Sequence, residues 1–310
     1  MRRKLAKKLG IQRVSVDHSK LTGSKRLAQI ERLGLADINR ALNQEGGQYV
    51  SSDPFVTFPE ATMGRHELLR QIHRVLEPRT YFEIGIFTGS SLSLSRAKTI
   101  AVDPDFRIRS EINCDLRIFK LKSDDFFAHP AGFAHFGDAD IDLAFIDGMH
   151  LSEFVLRDFI NTEKHSSKGT VIILDDVLPR NNLEAFRIRR TGDWAGDVFK
   201  VLNVLREFRP DLVVIPLNTS PTGTLLVTNL DPNSTIFEEH LDAITGQLTV
   251  PDPQMVDQSI LNREIAVDPK LLLEHGALKQ LVKLRNEKAD ADEYQKVWDQ
   301  LRSIPRIGNQ

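Results

Sequence analysis

The stretch Thr80-Tyr81-Phe82-Glu83-Ile84-Gly85-Ile86-Phe87-Thr88-Gly89-Ser90-Ser91 decides the fold. Its first five residues read as a buried strand, and the apolar run then breaks into glycine. Gly85 and Gly89 permit a tight turn and the close approach of a ligand to backbone at the start of a helix. A dinucleotide fingerprint needs a third glycine, but position 90 is Ser and no Gly follows nearby. A pyrophosphate site and a nicotinamide-dependent oxidoreductase are therefore disfavoured. What remains is Glu-x-Gly-x-x-x-Gly, followed by a second acid, Asp103, at the end of the next strand, where a carboxylate can accept both hydroxyls of a ribose. Asp105 is a second candidate; Asp103 lies nearer the strand end.

Outward from this stretch, strands and helices alternate. Residues 62–76 form a helix with Leu68, Leu69, Ile72 and Val75 on one face, ended by Pro78. Strands are expected at Thr80 to Ile84, Lys98 to Val102, Leu116 to Leu121, Ile141 to Ile146 and Thr170 to Leu174. A helix from His150 to about Glu163 turns Leu151, Phe154, Val155 and Phe159 inward. Asp197 is a candidate cap for another, with Val198, Val201, Leu202, Leu205 and Phe208 apolar and Pro210 as its stop. Leu212 to Pro216 and Thr224 to Thr228, joined by Asn218 to Gly223, read as an antiparallel hairpin. Alternation that closes on a hairpin predicts an α/β fold, a doubly wound Rossmann-like sheet of seven strands with an antiparallel edge hairpin. Helical extensions are expected at both ends, giving three segments: 1–60 (basic, partly helical, with Ser24 capping a helix through Ala41 and a break at Gly46-Gly47), 61–230 (the α/β domain) and 231–310 (helical). In the last, Leu278, Leu281 and Val282, then Tyr294, Val297, Trp298 and Leu301, form stripes that dock on the domain or on a second subunit.

Two strand ends carry the chemistry. Phe145-Ile146-Asp147-Gly148-Met149-His150 and Ile172-Ile173-Leu174-Asp175-Asp176 each pass from apolar residues into carboxylate. Neighbouring parallel strands would bring three aspartates and one imidazole into a small volume. Uncompensated carboxylates repel, so the cluster points to a divalent cation. After the third strand, Asp124 is either an acceptor for an adenine amino group or a solvated loop acid.

Glu83 to Ser91 with Asp103 resembles motifs I and II of the class I S-adenosylmethionine (SAM)-dependent methyltransferases, over roughly residues 62–230. With Phe-Ile-Asp-Gly-x-His and Leu-Asp-Asp, the resemblance narrows to the metal-dependent branch of macrocin- and mycinamicin-type sugar O-methyltransferases. The resemblance implies SAM held by Glu83, Gly85, Phe87, Thr88, Gly89, Ser90, Asp103 and Asp124. It also implies a divalent cation, magnesium by analogy, at Asp147, Asp175 and Asp176; these are hard oxygen ligands that favour magnesium, calcium or manganese over zinc. Since Asp175 and Asp176 are adjacent, their side chains diverge, and one of them can serve to orient the other's ligands. His150 corresponds to a general base in the sugar enzymes, and a neutral imidazole suits proton abstraction near pH 7; the plainer reading is a helix-cap neighbour bonded to Asp147. The loop after Asp176 departs from those enzymes. There Arg180 can pair with an anionic substrate group or with a neighbouring acid, and Trp194 can stack on a sugar or belong to the core. His66, near the first helix, can look into the site, with solvent or core as the plainer reading.

The implied activity is metal-assisted O-methylation of a hydroxyl on a sugar, glycan or small metabolite. The alternative is a non-catalytic binding or scaffold protein of the same fold, which would be expected to have lost an acidic ligand, and none of the three is missing. With 41 Lys and Arg against 43 Asp and Glu over 310 residues, the net charge is −2 and no global field selects nucleic acid. Residues 1–40 do carry eleven basic against three acidic residues. However, a nucleic-acid methyltransferase is weakened by Leu174-Asp175-Asp176-Val177 standing where an Asn/Asp-Pro-Pro-Tyr-like segment would be. No run reaches membrane-spanning length and no secretion-signal core is visible. Cys114 is the single cysteine and is read as a bystander, which suits a cytoplasmic protein.

Overall fold

The computed structural model describes residues 59–287 and 289–309. The expected Ser24 helix, the Gly46-Gly47 break and the basic arm lie outside the described residues. The strands are β1 (Thr80–Ile84), β2 (Lys98–Val102), β3 (Leu116–Phe119), β4 (Ile141–Ile146), β5 (Ser166–Asp175), β6 (Val213–Leu217) and β7 (Thr224–Thr228). They form one sheet in the order β3-β2-β1-β4-β5-β7-β6. The first five run parallel, and β7 is antiparallel to both of its neighbours. This is the doubly wound Rossmann-like sheet with a reversed edge hairpin. Every residue of β1, β4 and β7 is buried, as central strands covered on both faces must be.

Around the sheet lie α1 (Arg65–Leu76), α2 (Ser123–Phe127), α3 (Ser152–Glu163), α4 (Phe199–Phe208), α5 (Ile236–Glu239), α6 (Leu241–Leu248), α7 (Gln258–Leu261), α8 (Pro269–Glu274), α9 (Ala277–Glu287) and α10 (Ala291–Ser303). The period-2 alternation of the strands divides the core. Phe82, Ile84 and Ala144 face α3, α4 and α6; Tyr81, Leu143 and Phe145 face α1 and α8 to α10. The stripes at Leu278 and Leu281, and at Tyr294 to Leu301, complete the second core by packing on the domain itself. Each fully buried Leu, Ile or Phe contributes roughly 1.5–3 kcal/mol of transfer free energy.

Several boundaries differ from the sequence reading. β5 begins at Ser166 rather than Thr170, with a pairing irregularity between Ile141 and Leu143. β3 stops two residues early, and β6 is displaced by one. In α1, Val75 is only partly buried, while His73 and Leu76 carry the stripe inward. Asp197 does not cap its own helix. Its Oδ1 accepts the Ser152 amide at 2.8 Å and its Oδ2 accepts from Arg187 and Lys200. It thus satisfies an orphan donor at the start of α3, a cap supplied across 45 residues.

Strand register positions the chemistry. Ile84 pairs with Val102 and with Ile146, and Ile146 pairs with Leu174. Gly85, Asp103, Asp147 and Asp175, each one residue further on, therefore fall along one edge of the sheet. Just before α1, Met63-Gly64 pairs parallel with Thr219-Ser220 of the β6–β7 connection, which brings the first residue of α1 to the same edge. Among the described residues, no helix is long and apolar enough to cross a membrane.

Candidate active site

The loop after β1 crosses directly over the end of β4. Gly85 has φ +91°, and a Cβ there would lie 1.9 Å from the Asp147 carbonyl oxygen, so only glycine fits. The Gly85 amide donates to Val102 O at 3.0 Å and the Asp147 amide to Ile84 O at 2.8 Å. Asp103 acts on this loop before anything else. Its Oδ2 accepts the amides of Ile86 (2.7 Å) and Phe87 (2.9 Å), and its Oδ1 that of Asp105 (2.7 Å). Oδ1 keeps lone-pair capacity for one further donor. Gly89, at φ +77°, packs against Ile108. The helix expected after it is only a 3₁₀ turn, Leu92–Leu94, so the loop has no α-helical N-terminus to offer an anion. Phe87, 75% exposed, and Ser90 stand open to solvent with Thr88 half-buried between them. An exposed aromatic ring beside buried backbone donors is a surface on which a planar ligand can stack.

Glu83 is fully buried beneath this loop, where Tyr81 Oη donates to it at 2.7 Å and Ser91 Oγ at 2.6 Å. Burial, partly offset by those two hydrogen bonds, pushes its carboxyl up to about 8. Tyr81 lies two residues before Glu83 on the same face of the strand, a pairing that period-2 alternation makes legible. Asp124, by contrast, is a surface residue paired with Arg157 at 2.7 Å, the solvated of its two readings.

Across the edge, Asp147, His150 and Asp176 converge, with one potential ligand atom from each lying within 4.8 Å of the others. His150 Nδ1 is 2.8 Å from both the Trp194 carbonyl oxygen and Asp176 Oδ2, so Nδ1–H donates between them. Nε2 faces Asp147 Oδ1 at 3.4 Å. Thr222, from the β6–β7 connection, donates to Asp176 Oδ1. His150 and Asp176 have φ of +56° and +64°. Such left-handed non-glycine conformations persist only where surrounding contacts impose them, and they gather at functional sites. His150 therefore sits in a turn ahead of α3, not in its first turn.

Asp175 turns away from this trio. Its carboxylate accepts a hydrogen bond from Arg65, whose guanidinium also stands 3.9 Å from Asp147. The charge problem posed by three aspartates is thus answered in part by a residue with no local signature of that role. Arg65 is 110 positions from its partner, and the short pairing of Met63-Gly64 with Thr219-Ser220 holds the start of its helix at this edge. Burial and the neighbouring aspartates hold Asp175 well above the usual carboxylate range. Burial also acts upward on Asp176, but the charge and hydrogen bond of His150 and the Thr222 hydroxyl bring it below. For His150, burial lowers the pKa, but Asp176, by charge and hydrogen bond, and Asp147 more than reverse it, to about 10. The neighbouring carboxylates therefore favour the protonated ring of His150.

The two residues expected to meet the substrate are occupied otherwise. Arg180 is buried, its Nε donating to Glu184 at 2.9 Å and its Nη2 to Asp193 at 2.9 Å. Trp194 stacks on His150, ring centroids 5.2 Å apart and planes 6° from parallel, with its indole N–H donating to Phe186 O. Gly196 closes the same turn. At φ +61°, a Cβ there would lie 1.7 Å from His150 O. His66 is half-buried. Arg65, Thr222, Tyr81, Ser91 and Gly196 complete the site without having been singled out in the sequence.

A divalent cation fits this donor set. Asp147 and Asp176 offer hard oxygens that approach one another beside His150, and Asp175 Oδ1 is buried with no hydrogen-bond partner.

No curated protein matches the chain. Among solved structures it is similar to the O-methyltransferase TomG from Streptomyces achromogenes in complex with SAM (18% identity, 70% of this chain and 92% of that one, TM-score 0.41). It is also similar to a putative O-methyltransferase from Klebsiella pneumoniae (15%, 74% and 96%, 0.40) and to an O-methyltransferase from Bacillus cereus in complex with SAH (16%, 66% and 90%, 0.39). Residues 82–177, which run from β1 through the glycine loop and Asp103 to the residue after Asp176, match the family model described as a methyltransferase domain.

Proposed function

We propose that the protein is a SAM-dependent O-methyltransferase acting, with a divalent cation, on a hydroxyl of a sugar, glycan or small metabolite. One observation carries this reading. Asp147 belongs to both halves of the site, since its carbonyl lies against Gly85 of the glycine loop and its carboxylate joins His150 and Asp176. A cofactor held on the loop would lie next to the acidic cluster.

In this reading Gly85 to Ser90 line the cofactor, with Phe87 stacking and Asp103 holding both the loop and, through Oδ1, a ribose hydroxyl. Glu83 fixes the floor. Asp147, Asp176 and Asp175 would hold the cation, which when bound lowers the pKa of an acceptor hydroxyl. His150 takes the acceptor's proton at Nε2, because Nδ1–H is held by Asp176 and Trp194 O. That requires a neutral ring, which a cation on the two carboxylates would favour. Trp194 and Gly196 set the imidazole plane, while Arg180 braces the loop that carries them. Methyl transfer itself is an in-line displacement in which positioning supplies most of the rate.

Isothermal titration with S-adenosylhomocysteine (SAH), and turnover of SAM against a panel of hydroxyl acceptors with and without chelator, test the reading. SAH should bind, chelator should suppress turnover, and His150→Ala should lower it by roughly 10²–10⁴-fold. Full activity in excess chelator would remove the metal from the mechanism, and failure of SAH to bind would remove the cofactor.

A further inference from the structure

Within the site, Arg65 is the residue whose role the methyl-transfer reading leaves open. Its guanidinium hydrogen-bonds Asp175, lies 3.9 Å from Asp147, and is held more firmly protonated by Asp175 above all, then by Asp147 and Asp176. The carboxylate of Asp175 is 2% exposed while the Arg65 side chain is 28% exposed. The acid is thus fixed in place, whereas the cation reaches it from the solvent side and can leave by side-chain rotation. The backbone behind Arg65 is pinned by the pairing of Met63-Gly64 with Thr219-Ser220, so rotation of the head need not disturb α1. On the other side, Asp175 Oδ1 is buried with no donor. The guanidinium therefore answers only half of this carboxylate's capacity.

We propose that Arg65 is a built-in counter-ion of the carboxylate cluster, and that a divalent cation binds by displacing its guanidinium from Asp175. The inference rests on the metal-assisted reading above. Asp147 and Asp176 approach each other, with the buried Asp175 beside them, and carboxylates this near repel unless a cation sits among them. A single guanidinium supplies one positive charge, spread over a planar group that reaches one carboxylate closely and a second only at a distance. A small divalent ion supplies twice the charge and can draw in Asp147, Asp175 and Asp176 together. The arginine therefore keeps the empty cluster assembled, at the cost of competing with the ion. Metal affinity is set by an exchange rather than by simple addition to an open site.

Binding of Mn²⁺ to the full-length chain, followed by electron paramagnetic resonance of the free ion, tests this without relying on turnover. Arg65→Gln should bind Mn²⁺ at least about tenfold more tightly than the parent, since a unit charge about 4 Å from the site is removed. Arg65→Lys, which keeps the charge but not the planar fork, should fall between. Arg70→Gln removes an exposed charge that pairs with Glu67 on the outer face of α1 and should leave affinity within about twofold, charge at this distance being largely screened. Circular dichroism establishes that each variant is folded, and SAH titration reports the cofactor site separately. Equal or weaker Mn²⁺ binding in Arg65→Gln, or an equal gain in Arg70→Gln, overturns the proposal. If SAH binds but neither the parent nor Arg65→Gln takes up Mn²⁺, this inference and the metal part of the mechanism both fall while the cofactor reading stands. Tighter Mn²⁺ binding in Arg65→Gln without SAH binding would support the exchange and sink methyl transfer.

Discussion

Glu83 shows how much one buried carboxyl can weigh. It sits fully buried under the glycine loop with two hydroxyl donors, and burial raises its pKa from an ordinary 4.5 to about 8. Between those values the folded protein binds the proton and the unfolded chain does not. Its contribution therefore makes stability fall as pH rises from about 4.5 to about 8, by an amount on the order of a few kcal/mol. Glu83→Gln, which keeps the shape and the hydroxyl contacts, should flatten that slope. Urea unfolding midpoints at pH 5 and pH 8 would measure it, and an unchanged difference between the two would show that Glu83 is ionised throughout. His150 works in the same direction over a higher window, being raised from 6.5 to about 10, and so remains in the variant as an internal reference. At this scale the acid types and their strand-end positions were legible in the sequence, but their charge states were not. Those depend on Arg65, Thr222 and Trp194, contributed from 44 to 110 positions away.

Elements aim these side chains. The turn between β4 and α3 places His150 in a left-handed conformation, and Gly196 on the loop before α4 fits against its carbonyl. A methyl group at 196 would fall 1.7 Å from His150 O at φ +61°, so Gly196→Ala must push the turn aside. We expect a loss of about 1–3 kcal/mol in stability and a large fall in turnover. SAH affinity should stay within about twofold, because the glycine loop lies on the far side of Asp147. Calorimetry beside a turnover assay separates the two effects, and parallel losses in both would mean that the turn also supports the cofactor loop. Strand spans were readable here because apolar runs bounded by Gly, Pro and Asp have strong local signatures. The start of β5 was less so, since Ser166 alone pairs with Ile141 before an irregularity, and regular pairing resumes only at Val171 opposite Leu143. Asp197 has the local pattern of a cap, yet it serves α3, since the nearest unsatisfied amide in space belongs to Ser152.

On the scale of the whole molecule, the helices beyond residue 231 join the two cores rather than standing apart. Trp298, 3% exposed and stacked on Tyr294 at 5.6 Å, lies in the same apolar cluster as Leu143, Val171 and Ile215 of the sheet. Trp298→Ala should therefore destabilise the whole chain by about 3–5 kcal/mol and lower the midpoint of a single calorimetric transition. A main transition left in place, with a new minor one below it, would instead mark the C-terminal helices as a separately melting unit. Their apolar stripes were plain from helical spacing, but whether they would meet this sheet or a second subunit was not.

What the sequence by itself determined is the order of strands and helices, the closing hairpin and the placing of Glu83, Asp103, Asp147, Asp175 and Asp176 at strand ends. Each is a local property, written in runs of apolar residues and in where they break. Only the tertiary structure decided which of those acids meet. In-register pairing of β2, β1, β4 and β5 brings their ends to one edge, and the pairing of Met63-Gly64 with the β6–β7 connection delivers Arg65 to Asp175. Electrostatic partnership depends on distance in space, and a separation of 110 positions along the chain carries no mark of it.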